Sequence, residues 1–146
     1  MAELEKSDVI KNLLNNLIDI SGRKTTRGHA IFTLERVIKQ LEDKYAFLTN
    51  VKIKDTRYIE DDDTISVMSD INVVNSSDMG LAIQDIITTM DTSLGEDAGH
   101  FFIKELRRNL SDEYVSSMDD MGVDLSLLQL EREVRNLEKS ISRKTE

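Results

Sequence analysis

Apolar positions along the chain recur first at helical spacing, then at strand spacing, then at helical spacing again. Ile10, Leu13, Leu17 and Ile20 lie three, four and three residues apart, and Val9, Leu14 and Ile18 widen the stripe. That period predicts an amphipathic helix over about 8–20, with Ser7 as its cap and Ser21-Gly22 as its end. A second stripe of Ile31, Leu34, Ile38, Leu41, Tyr45 and Leu48 predicts a helix over about 26–48.

The period then falls to two. Val51 and Ile53 alternate with lysines, and Ile65, Val67, Ile71 and Val73 alternate mainly with polar residues. β-Branched alternation of this kind predicts half-buried strands over about 50–54 and 64–73. Tyr58-Ile59 suggests a third strand over about 57–60, with Asp61-Asp62-Asp63 as an acidic turn. Helical spacing resumes after Ser76-Ser77-Asp78 and predicts helices over about 78–94, 97–110, 112–121 and 123–143, with Gly95 and Gly122 as stops. No Gly/Ser/Pro-rich linker or internal repeat divides the chain. The expectation is one domain over 1–146 of α+β class, mostly α: a helical bundle with a small antiparallel two- or three-stranded β-meander near residues 50–74.

The last predicted helix carries the most specific pattern. With Leu127, Val134 and Ile141 as heptad position a, Leu130 and Leu137 fall at d, which resembles a two-stranded coiled-coil seam. The e and g flanks, Glu131, Glu133 and Glu138, are all acidic, so self-pairing would set like charges across the seam. Two readings follow: a helix packed within its own bundle, or a seam of Leu127, Leu130, Val134, Leu137 and Ile141 shared between subunits. In either reading these leucines should matter more to the helix than its surface charges.

Composition narrows the function classes. The chain has no cysteine, which excludes disulfides, thiol catalysis and Cys-ligated metals. It has no proline, which favours long unbroken helices. Its longest apolar run, Tyr45 to Leu48, is far too short for a transmembrane helix or a signal-peptide core. The net charge is −9 but unevenly placed: residues 55–99 hold one basic and eleven acidic side chains, whereas 21–54 hold eight basic and three acidic. Such asymmetry can orient an association.

Three clusters could carry chemistry. Ser21 to His29 reads as a basic interhelical loop in which Arg23, Lys24, Thr25, Thr26 and Arg27 surround a helix start, a candidate anion site. It lacks the lysine placement of a P-loop, since His29 follows Gly28. Glu60-Asp61-Asp62-Asp63 offers hard oxygen ligands for Mg²⁺ or Ca²⁺, but it fails the EF-hand pattern and reads more simply as a solubilising hairpin tip. His29 and His100 each stand alone, without a metalloprotease or nucleophile-elbow motif. Five of the six methionines lie between Met68 and Met121, where they either fill core gaps or line a pliable groove.

The expected function is therefore a soluble, cytoplasmic, non-enzymatic regulatory or adaptor protein acting through helix-mediated association, with a homodimer as the main expectation and another protein partner as the second. The alternative is an anion-, nucleotide- or RNA-binding protein using the basic loop, although a net −9 chain disfavours nucleic acid. A further alternative is a metal-dependent hydrolase using the acidic hairpin. No catalytic residue, metal-ligand set, cofactor or membrane attachment is assigned.

Overall fold

A computed structural model describes residues 5–53, 65–99 and 101–144. They form six α-helices, α1 (Lys6–Lys24), α2 (Arg27–Leu41), α3 (Ser76–Leu94), α4 (Phe102–Asn109), α5 (Asp112–Asp120) and α6 (Leu125–Lys144), with strands β1 (Val51–Ile53) and β2 (Ile65–Val67). The strands pair antiparallel, with Val51 opposite Val67 and Ile53 opposite Ile65. The fold is α+β and mostly helical, with one small antiparallel sheet among the described residues. The anticipated strand at 57–60 and the acidic turn lie outside the described residues.

α1 sits at the centre. Val9, Ile10, Leu13, Leu14, Leu17, Ile18 and Ile20 are all buried. They span about half of the helix circumference at about 100° per residue, and α1 packs against α2, α3, α4, α5 and β2. α1 also runs one turn past the expected stop at Ser21-Gly22, because nothing in that pair breaks the ladder: Thr25 N–H still reaches the Ser21 carbonyl at 2.9 Å. At its other end the helix starts at Lys6, with Ser7 inside the first turn. The side chain that satisfies the Ser7 amide comes from Asn72 Oδ1, at 2.8 Å and 65 residues away.

Three expected elements are shorter than their hydrophobic patterns. The helix anticipated over 26–48 ends at Leu41, and a 3₁₀ helix at Ala46–Asn50 carries Leu48 into the core instead. The Tyr45 amide and the Lys44 amide both bond the Leu41 carbonyl, which closes the turn. Tyr45 Oη and Lys44 Nζ then donate to Asp85 Oδ2 of α3, at 2.5 and 3.0 Å, and fix the break against that helix. The strand anticipated over 64–73 stops at Val67, and Ser69–Val73 winds into a 3₁₀ helix that presents Asn72 to α1. Ile71 is buried there while Val73 is almost fully exposed, so the alternation does not mark one strand face. The helix anticipated from 97 starts at Phe102. Gly95 and Gly99, both at positive φ, bracket a 3₁₀ turn over Gly95–Ala98 that separates it from α3. Val123 is buried ahead of α6, which begins at Leu125 after Asp124 bonds the Leu127 amide.

The methionines Met79, Met90 and Met118 are fully buried, as core gap-fillers. Phe102 is fully buried and Phe101 half-exposed.

Gly80, in the interior of α3, marks a close backbone approach between α3 and the residue that follows α5. A Cβ there would stand 2.0 Å from the Met121 carbonyl oxygen at the end of α5. Gln84 Nε2 bonds the neighbouring Gly122 carbonyl at 2.9 Å. Gly80→Ala should therefore lower stability by about 1–3 kcal/mol through overpacking, despite alanine's helix preference of about 0.8–1 kcal/mol. Urea denaturation followed by circular dichroism checks this; a stabilised variant would mean that α3 and α5 are not in contact at Gly80.

Candidate functional site: the two faces of the last helix

α6 carries two apolar faces on opposite sides. Leu125, Leu128, Gln129 and Arg132 occupy heptad positions f, b, c and f, one arc of the helix at about 100° per residue. This arc faces the body: Leu125, Leu128 and Gln129 are buried, and α6 packs chiefly on α4.

Two polar contacts fix the docking. Gln129 Oε1 accepts the Lys104 amide at 3.1 Å, satisfying one of the free N–H groups in the first turn of α4, whose N-cap residue Phe101 provides no side-chain cap. Arg132 Nε donates to Asp91 Oδ2 of α3 at 2.5 Å, with both side chains nearly buried. Asp91 Oδ1 and one Arg132 terminal nitrogen are buried without hydrogen-bond partners. Burial pushes the Asp91 carboxyl above its ordinary 3.8, opposed by the Arg132 guanidinium and, less strongly, by Arg135.

The opposite arc holds the a/d residues. Leu127, Leu130, Val134 and Leu137 are 49, 55, 47 and 61% exposed. Among the described residues this stripe is thus not part of the buried core, and the reading of it as the face that packs α6 into its own bundle does not hold. Ile141 lies further along α6, where the described side chains end at Glu138. The flanking Glu131, Glu133 and Glu138 are exposed as well. Pattern reading found this stripe but missed Gln129, Arg132 and Asp91. The available signal was the off-heptad pair Leu125 and Leu128, which begins a second stripe continued by Arg132.

The candidate anion residues fall at one corner. Arg23 and Lys24 belong to the last turn of α1 rather than to a loop, Thr25 and Thr26 form the joint, and Arg27 opens α2. Their polar groups point to several partners. Arg23 donates to the Asp19 carbonyl and to Asn109 Oδ1, and Asn109 in turn donates to Asn16 Oδ1. Lys24 pairs with Glu105 at 3.0 Å, and Arg27 lies 3.9 Å from Asp19. Thr25 Oγ1 bonds the Ser21 carbonyl, and Thr26 Oγ1 accepts the His29 amide. The arrangement ties α1 to α4 and caps α2.

Among the described residues, no group of three His, Asp or Glu side chains converges on a common point. The acidic turn at 61–63 and position 100 lie outside them. No helix among the described residues is long and apolar enough to cross a membrane. Compared with known proteins, the chain matches no family model, no curated protein and no solved structure.

Removing one partner of a buried pair strands the other. Arg132→Met should destabilise the protein by about 3–5 kcal/mol, whereas Asp91→Leu with Arg132→Met should recover most of that loss. In the single variant, burial of Asp91 acts with its main opposition gone. Its folded-state carboxyl then lies further above the unfolded value, and the native state takes up the proton first. The deficit should be full at neutral pH and shrink as pH falls through the folded value towards 3.8. Denaturant midpoints at several pH values check this; a pH-independent deficit would mean that Asp91 is not the stranded charge.

Proposed function

We propose that the protein is a non-enzymatic adaptor or regulatory module that works by helix-mediated association, with the outward seam of α6 as its docking surface. The observation that carries the reading is the exposure of Leu127, Leu130, Val134 and Leu137 on one face of a helix whose opposite face is already anchored. Single exposed apolar residues are ordinary on any surface, but four at three–four spacing form a continuous stripe. β-Branched Val134 at a, between leucines at d, is the geometry by which helices interlock side chains across a two-stranded seam.

A rigid anchor strengthens the reading. Gln129 and Arg132 tie the helix to the body in one rotation, so the stripe is presented on a helix that is already formed, and less ordering remains on binding. The corner around Arg23, Lys24 and Arg27 offers weaker support for anion binding, because its cations face Glu105, Asn109 and Asp19.

The test separates binding from folding. Leu130→Ser with Leu137→Ser should change the melting temperature little, since both side chains are exposed in the free chain. The same variant should lose binding, read by fluorescence anisotropy, to a labelled three-heptad synthetic helix with leucine and valine at a and d and glutamine at e and g. A wild-type protein that ignores this peptide and its charged-flank counterparts alike would overturn the reading.

A further inference from the structure

We infer that the occupant of the α6 seam is a basic-flanked helix of another protein rather than a second copy of this chain. The inference rests on the association reading above and specifies its partner. The argument is charge complementarity along the edges of the stripe.

Glu131 and Glu138 occupy position e and Glu133 occupies g, and all three are exposed beside Leu127, Leu130, Val134 and Leu137. Residues at e and g meet their counterparts across a two-helix seam and govern the choice of partner. In a parallel self-pair, g faces the e position of the following heptad, so each Glu133 meets Glu138 of the second copy. In an antiparallel self-pair, e faces e and g faces g, and again glutamate meets glutamate. Neither orientation of two identical helices relieves the repulsion.

Among the described side chains of this stretch, neither arginine occupies an e or g position. Arg132, at f, is nearly buried against Asp91 on the opposite side of the helix. Arg135, at b, also lies away from the seam. The net charge of −9 adds a longer-range repulsion between copies. A helix with lysine or arginine at e and g meets each of the three glutamates with an opposite charge and fills the same apolar stripe. Like-charge rejection of the wrong partner and attraction of the right one then act together.

The experiment uses the full chain and two synthetic three-heptad helices with identical a and d residues, one with lysine and one with glutamate at every e and g. The lysine-flanked helix should bind about tenfold more tightly, the sum of a few exposed ion pairs, and the preference should shrink as salt is raised. Glu131→Lys with Glu133→Lys and Glu138→Lys should invert the order of the two peptides.

Equal binding of both peptides by the wild-type chain would overturn the inference. So would sedimentation equilibrium showing a wild-type dimer that Leu130→Ser with Leu137→Ser converts to monomer. Either result leaves the association reading standing, because the seam is still used. If the lysine-, glutamate- and glutamine-flanked helices all fail to bind, the association reading itself falls, and this inference with it.

Discussion

Burying α1 is the constraint on which the rest of the molecule depends. Its apolar side chains spread too widely around the helix for one neighbour to cover them, so helices must close on it from several directions. α2 lies along one side, α4 and α5 reach it from later in the chain, and the sheet contributes β2. Polar ties accompany the packing. Asn72 completes the start of α1, while Asn109 and Glu105 of α4 hold its middle through Asn16 and its last turn through Arg23 and Lys24. Side chains that read in sequence as a basic loop are thus occupied in joining two helices.

The same requirement determines what remains for α6. By the point the chain reaches Leu125, the core around α1 is covered, and what is left for the last helix is a shallow contact on α4 and α3. Leu125, Leu128, Gln129 and Arg132 suffice for that contact. The stronger stripe is left outside. A buried ion pair is a weak source of net stability, because desolvation of both charges offsets their attraction. Its consequence here is rotational: only one face of α6 can bring Arg132 to Asp91, and that choice turns the leucines outward.

In the association reading proposed above, this arrangement would separate folding from binding. The residues that hold α6 in place and the exposed leucines of its heptad share a helix but not a face. Substitutions in this exposed stripe or its flanking glutamates should cost the fold little. The unmatched Asp91 Oδ1 and Arg132 nitrogen are the weak points of the anchor, and they lie on the opposite side of α6 from the exposed leucines.

Much of this was legible in the sequence. Local periodicity determined the helical stripes, the period-two segments, the stops at Gly95 and Gly122, and the heptad of the last helix, because side-chain spacing is set by the backbone geometry of each element alone. Where elements end against one another was not legible. The pattern through Tyr45 and Leu48 fits a continuous helix, yet the chain breaks at Leu41 because Tyr45 and Lys44 bond Asp85 on α3. The alternation through Ile71 fits a strand, yet that segment coils to bring Asn72 to the start of α1. The heptad named the seam residues but not which side they face. That was decided by tertiary structure, since a helix with two apolar arcs turns inward the one whose polar members, Gln129 and Arg132, find partners on the body.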